Sequence, residues 1–129
     1  MNLREAFDAK GVYVFVMTPY KHTRNAKGKY HLDLAGLEKN ISHFAGIGGD
    51  KTMVVCGGSG EIHSLEPGEV VDVASAAVAG TDGRCSVVCG VRGSDQQASI
   101  VYAGLKLIRT REPNPIPNRL WSAGIQKRI

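Results

Sequence analysis

The sequence has no long hydrophobic run, few aromatic residues and only three cysteines. Its longest uninterrupted apolar stretch, Val12–Met17, spans six residues, whereas a membrane-spanning helix needs about 20. The N-terminal residues lack the apolar region of a signal peptide. An odd number of cysteines in a mid-sized chain argues against a disulfide framework. We therefore expect a cytoplasmic protein with no membrane partner.

Excess positive charge is confined to the end of the chain. The 129 residues carry a formal net charge of +4. Residues 1–106 hold 11 basic and 11 acidic residues, and residues 107–129 hold five basic residues against Glu112 alone. A nucleic-acid surface needs basic residues clustered on a folded face, so we expect no nucleic-acid partner.

Apolar runs alternate with helical patterns along the first 106 residues. The runs are typical of strands buried on both faces of a parallel sheet. Each run is followed by a residue that favours the start of a helix. Beyond that residue, apolar residues recur every three or four positions, as they do along one face of a helix. This predicts a β-α-β-α-β-α order with right-handed crossovers. The predicted strands and helix starts, in chain order, are Val12–Met17, Asp33, Thr52–Cys56, Pro67, Ser86–Val91 and Ser94.

Two polar segments interrupt this order. Lys21–Tyr30 is predicted to be a loop. After Lys106, prolines at alternate positions 113, 115 and 117 exclude a helix or a central strand. Leu120–Ile125 is too short to form a packed element alone. We expect a domain over residues 1–106 and a disordered Pro/Arg-rich tail over 107–129.

Ligands of parallel sheets bind at the carboxyl ends of the strands. Three loops leave the predicted strands there, at Thr18–Tyr20, Gly57–Glu61 and Arg92–Ser94. Gly57–Glu61, the glycine loop, exposes backbone N–H groups that suit a carboxylate or phosphate, and Ser59 adds a hydroxyl. A tight turn without a ligand is the equal alternative. The spacing matches neither a dinucleotide fingerprint nor a Walker A loop.

Other chemically versatile residues carry weaker signals. Cys56, Cys85 and Cys89 lack the spacing and the fourth ligand of a zinc site, so we expect buried structural thiols and no metal. His63 lies beside the glycine loop, and Arg92 leaves the third strand, where it is suited to contact an oxyanion.

Three motifs resemble one known family. They are Gly57-Gly58-Ser59-Gly60-Glu61 with Ser64-Leu65, Gly11-Val12 with Thr18-Pro19-Tyr20, and Gly90-Val91-x-Gly93. These are similar to the G-[TSG]-[TS]-G-E, T-P-[FY] and G-V-G patterns of the dihydrodipicolinate synthase / N-acetylneuraminate lyase family. The resemblance extends from Gly11 to Lys106.

This resemblance implies a (β/α)8 TIM barrel and a class I aldolase-type lyase that forms a Schiff base with a 2-oxo acid such as pyruvate. It implies no cofactor, and a homo-oligomer. Gly58, Ser59 and Gly60 would bind the substrate, with Ser59 on its carboxylate. Gly58 replaces a threonine that relays protons in the synthases, which looks more like the 5-dehydro-4-deoxyglucarate dehydratase branch. Further possible contacts are Thr18, Tyr20, His63 and Arg92.

The sequence departs from this family after the third β/α unit. The family carries its tyrosine on strand five and its Schiff-base lysine on strand six, and no lysine here lies late on an apolar strand. We therefore expect three β/α units of a truncated barrel with no catalytic residue of its own, and hypothesise a frameshift or early stop near Lys106. The alternative function is a non-catalytic module that binds small anions or assembles with a partner. Open sheet edges predict marginal stability or aggregation.

Overall fold

The structure is a computed structural model that describes residues 11–91 and the strand at 120–123. Its strands, in chain order, are β1 (Val12–Phe15), β2 (Tyr20–Arg24), β3 (Tyr30–Leu32), β4 (Lys51–Val55), β5 (Ser86–Gly90) and β6 (Leu120–Ala123). Four of them form a central sheet in the order β1-β4-β5-β6, in which every neighbouring pair is parallel. The parallel α/β architecture is therefore the predicted one.

The inner strands are buried as their sequences predict, but β1 is not. Met53 and Val55 of β4 are fully buried, whereas Val12 and Phe15 of β1 are 65% and 62% exposed. The expectation that the first strand is buried on both faces is wrong for the described part of the chain. There β1 is an edge strand, paired only with β4.

The segment after β1 is a hairpin rather than the predicted loop. Its two strands, β2 and β3, pair antiparallel. Asn25 closes the turn, because its side-chain oxygen accepts from the N–H groups of Lys27 and Lys29 at 2.9 and 3.0 Å. The strands carry polar, exposed side chains, so no alternation of apolar and polar residues signalled them.

The first helix, α1 (Leu34–Gly46), follows local sequence rules. The carboxylate of Asp33 accepts from the N–H of Gly36 at 2.9 Å and caps the helix. Leu37, Ile41 and Ala45 are buried along one face, and Ile47 leaves the helix in an extended conformation. The cap and the apolar period predicted from the sequence are confirmed.

The second helix, α2 (Pro67–Thr81), has proline in its first turn and a capping box formed by Glu66 and Glu69. A short 3-10 helix, Ile62–Ser64, precedes it. Gly80 sits where α2 meets α1, since a Cβ there would lie 2.7 Å from the carbonyl oxygen of Glu38. The two helices and β4 and β5 enclose one apolar core. No described helix has the length and hydropathy needed to span a membrane.

The tail contains regular structure that the sequence did not predict. Leu120–Ala123 is a strand parallel to β5, with Leu120 opposite Val87 and Ala123 opposite Gly90. The expectation of a disordered tail over residues 107–129 is wrong for these four residues. A strand this short is stable because it adds one ladder to an existing sheet and needs no core of its own. The predicted third helix, from Ser94, lies outside the described residues.

Candidate functional site

The glycine loop leaves β4 through a sharp turn. Cys56 turns the chain with a φ of 55°, and the N–H groups of Glu61 and Ile62 donate back to the carbonyl oxygens of Gly58 and Gly57 at 3.1 and 3.3 Å. Gly60 is required here, because a Cβ would lie 2.9 Å from the Cys56 nitrogen. The loop is thus held tightly against the end of its own strand.

The middle of the glycine loop offers free donors. Gly58 and Ser59 are exposed, and Gly60 is buried. Within residues 11–91, the N–H groups of these three residues donate to no other backbone group. Consecutive N–H groups without a backbone partner, with a hydroxyl beside them, are the kind of donors that suit an anion. The three predicted substrate-binding residues therefore lie in one turn, of which Gly58 and Ser59 are exposed.

Thr18 joins the end of the first strand to this loop. Its hydroxyl is buried and donates to the carbonyl oxygen of Gly60 at 2.7 Å. The sequence suggested Thr18 as a possible substrate contact. In the structure its hydroxyl donates to a backbone carbonyl oxygen of the protein itself, so Thr18 holds the loop in place.

Tyr20 lies next to the same loop at the start of β2. Its hydroxyl oxygen is buried and has no hydrogen-bond partner among the described residues. Burial raises the pKa of Tyr20, and the nearby carboxylates of Glu61 and Glu69 raise it further. The hydroxyl therefore keeps its proton at neutral pH and is available as a donor.

An ion pair fastens the hairpin near the loop. The ammonium of Lys29 contacts the carboxylate of Glu69, and the same carboxylate accepts from the Glu66 N–H at 3.0 Å. Lys29 and Glu69 are 40 residues apart, so this contact depends on the fold. It neutralises one of the two carboxylates near Tyr20.

The thiols are structural in position. Cys56 and Cys89 are fully buried and Cys85 is half-buried. The neighbouring Cys56 and burial raise the pKa of Cys89 far above its ordinary value, and burial raises that of Cys85. A thiol with a raised pKa is a poor nucleophile at neutral pH, which applies to Cys89. Cys56 and Cys89 are buried, as predicted.

Two predicted candidates and one lysine remain to be placed. His63 is exposed in the 3-10 helix that comes after it, and Arg92 lies outside the described residues. Lys51 is the one lysine on a central strand in the described ranges, and its ammonium donates to the carbonyl oxygens of Ile47 and Gly49. These groups precede β4, so Lys51 is at the opposite end of the sheet from the glycine loop.

The carboxyl ends of β4 and β5 lie side by side at the edge of the sheet that carries the glycine loop. A Cβ on Gly90, the last residue of β5, would lie only 2.1 Å from the carbonyl oxygen of Cys56. Only glycine permits this approach of β5 to the end of β4. The fold therefore defines a parallel β/α unit with the glycine loop at the carboxyl edge of its sheet.

Comparison with known proteins identifies which barrel this is. The model of the dihydrodipicolinate synthetase family matches residues 8–106, and the chain belongs to that family. A comparison with curated proteins finds no match.

Solved structures agree with this assignment. Dihydrodipicolinate synthase from Aquifex aeolicus is 30% identical with a TM-score of 0.61, over 77% of this chain and 31% of that chain. Another dihydrodipicolinate synthase is 26% identical with a TM-score of 0.59, over 77% and 32%. The enzyme from Bacillus clausii, at 22% identity and a TM-score of 0.61 over 75% and 31%, shows the shared fold. The chain thus spans about a third of the length of these synthases.

Proposed function

We propose that this chain binds the carboxylate of a small 2-oxo acid, such as pyruvate, at Gly58, Ser59 and Gly60. The observation that carries the proposal is the row of three consecutive N–H groups in the glycine loop that have no backbone partner within the described ranges, two of them on exposed residues. Several N–H groups converging on one carboxylate form charge-assisted hydrogen bonds. Membership of the family supports pyruvate-type acids as the first ligands to test.

The residues present fit the binding half of a Schiff-base lyase. In that chemistry a lysine amine condenses with the ketone of the bound acid, water leaves, and the iminium withdraws electrons from the neighbouring carbon. Here Ser59 would orient the acid through its carboxylate. Gly58 has no hydroxyl to relay a proton, which favours a dehydratase-type reaction in the parent enzyme over a synthase.

The described residues supply no nucleophile for this reaction. Lys51 lies at the amino end of β4, away from the glycine loop. We therefore propose that the 129-residue chain binds the acid without forming the Schiff base. Treatment with pyruvate and borohydride, followed by mass spectrometry, should leave the mass unchanged, and a reduced covalent adduct would contradict this part of the proposal.

Titration calorimetry tests the binding step directly. A Kd of 1 mM corresponds to about 4 kcal/mol, which two or three charge-assisted hydrogen bonds of about 1.5–3 kcal/mol each can supply after solvent competition. Pyruvate is expected to bind with a Kd of about 1 mM, and Ser59→Ala to weaken it about fivefold. Ser75→Ala, at an exposed position of α2, is the matched control. A wild-type Kd above about 20 mM rejects the proposal.

A second function is a non-catalytic module that binds small anions or assembles with a partner. It is favoured by the chemistry of the loop itself, because backbone N–H groups recognise any compact oxyanion and none of the described contacts selects a ketone. Measuring the affinity for inorganic phosphate distinguishes this module from a 2-oxo acid site. Equal affinity for phosphate and pyruvate would favour the anion-binding module, and a clear preference for pyruvate would favour the 2-oxo acid site.

A further inference from the structure

The Tyr20 hydroxyl is a buried polar group without a partner among residues 11–91 and 120–123. A buried donor left unpaired costs free energy, because it has lost its hydrogen bonds to water. Such a group in a native fold calls for an acceptor within reach. Tyr20 directly follows Thr18-Pro19, whose threonine already binds the glycine loop.

Two carboxylates lie close enough to Tyr20 to raise its pKa, those of Glu61 and Glu69. Glu69 is paired with the ammonium of Lys29, and the same oxygen, Oε1, also accepts from the Glu66 N–H. Glu61 is exposed and has no such partner within the described ranges, and hydrogen bonding to its side chain is among the causes that raise the pKa of Tyr20. Glu61 is therefore the available acceptor.

Glu61 also has an unusual backbone conformation. It is the last residue of that loop and has a left-handed backbone, with φ 57° and ψ 41°. Non-glycine residues hold this conformation only when surrounding contacts stabilise it. A hydrogen bond to its side chain would fix the end of the loop one residue beyond the point where Thr18 fixes Gly60.

We propose that Tyr20 is a positioning residue for the anion site: its hydroxyl donates to the carboxylate of Glu61 and so holds the N–H groups of Gly58, Ser59 and Gly60 in their binding orientation. Thr18 and Tyr20 then act as a pair, two residues apart on one segment, that hold adjacent residues of the loop. This inference rests on the proposed function of the glycine loop. It adds a role that a phenylalanine, the other residue of the T-P-[FY] motif, cannot perform.

A double-mutant cycle on the full 129-residue chain tests the pair. The variants are Tyr20→Phe, Glu61→Ala and their combination, measured for pyruvate affinity by calorimetry and for unfolding by urea. The backbone cost of alanine at position 61 is common to both tyrosine and phenylalanine backgrounds, so it cancels in the cycle. Tyr13→Phe, at a 40% exposed tyrosine of β1, is the matched control.

Tyr20→Phe is expected to weaken pyruvate binding about fivefold, and the double variant to be no weaker than Glu61→Ala alone. Glu61→Gln, whose amide oxygen still accepts, should recover most of the affinity. Tyr13→Phe should bind as the wild type does. Coupling in both the urea and the calorimetry cycles supports the proposal.

Other results overturn it in distinguishable ways. If the wild type binds pyruvate and the two substitutions are additive, Tyr20 has no positioning role while the proposed function stands. If the wild type binds neither pyruvate nor phosphate, the proposed function fails and the positioning role fails with it. In that case a coupling seen by urea alone would identify a purely structural hydrogen bond.

Discussion

The hydroxyl of Thr18 and the carbonyl oxygen of Gly60 are joined by a buried 2.7 Å hydrogen bond across 42 residues of sequence. This bond connects the segment leaving β1 to the glycine loop leaving β4. The two T-P-[FY] and G-[TSG]-[TS]-G-E motifs that suggested the family are therefore in direct contact. Thr18 acts on the site through the loop.

Replacing Thr18 by valine should destabilise the protein and loosen the loop. Valine has the same shape but leaves the Gly60 carbonyl oxygen buried without its donor, which costs about 1–3 kcal/mol. Urea unfolding measures this loss. Thr23→Val is the control, since Thr23 is exposed and its hydroxyl hydrogen-bonds to the exposed His31 at 3.0 Å, and it should change stability by less than about 0.5 kcal/mol. Equal losses in both variants would show that the Thr18 bond contributes nothing specific.

Glycines at the carboxyl edge should differ sharply in their tolerance of alanine. A Cβ at Gly90 would lie 2.1 Å from the Cys56 carbonyl oxygen, whereas a Cβ at Gly58 meets nothing within 4 Å. Gly90→Ala should therefore cost about 1–3 kcal/mol or more through overpacking. Gly58→Ala should stay within about 0.5 kcal/mol. Thermal or urea unfolding of the two variants checks the contrast, and a tolerated Gly90→Ala would contradict the close approach of β4 and β5.

The sequence predicted those parts of the fold that depend on neighbouring residues. The cap at Asp33 and the buried row of Leu37 and Ile41 are local, so α1 could be placed correctly. The hairpin was missed because β2 and β3 carry mostly polar, exposed side chains, which do not show the apolar–polar alternation of a half-buried strand. β6 was missed because Leu120–Ala123 gains its stability from β5.

The candidate site shows the same division. The glycine loop was recognisable from its residues, because glycine and serine after an apolar strand carry a direct chemical meaning. The residues that hold the loop in place could not be recognised in the same way. No sequence pattern predicts that the Thr18 hydroxyl donates to Gly60, or that the Tyr20 hydroxyl is buried without a partner among the described residues. Both features depend on which loops the sheet brings together.

Arg84 is predicted to hold the ends of the two helices together. Its guanidinium donates to the carbonyl oxygens of Ser42 in α1 and of Gly80 and Thr81 in α2, at 3.3, 3.2 and 3.0 Å. These carbonyl oxygens lie in the last turns, where a cation is favourable. Arg84→Met should cost about 1 kcal/mol, and urea unfolding measures the loss.

Two further variants separate geometry from charge. Arg84→Lys keeps the charge but cannot span three carbonyl oxygens, so it should recover less than half of the loss. Lys39→Met removes an exposed cation from α1 and should have little effect. If Arg84→Lys behaves as the wild type does, charge alone explains the stabilisation and the bridging geometry is unimportant.

The stability of the protein should fall as the pH rises above about 9. The neighbouring Cys56 and burial raise the pKa of Cys89 above the ordinary value of 9.0, and burial raises that of Cys85. A folded-state pKa above the unfolded value means that these thiols ionise first in the unfolded chain. Their contribution to the free energy of unfolding is therefore complete below about pH 9 and is lost above it. For a thiol as buried as Cys89, the loss is about 1.4 kcal/mol per pH unit.

Urea unfolding between pH 7 and 10.5 in a reducing buffer tests this dependence. The wild-type free energy of unfolding should be level up to about pH 8.5 and then decline. Cys89→Ala should begin less stable but decline more gently, because its unfolded state no longer gains a thiolate at that position. Cys85→Ala, at the half-buried thiol, should flatten the curve to a smaller extent. Parallel curves for the wild type and Cys89→Ala would show that the Cys89 thiol does not govern the alkaline loss of stability.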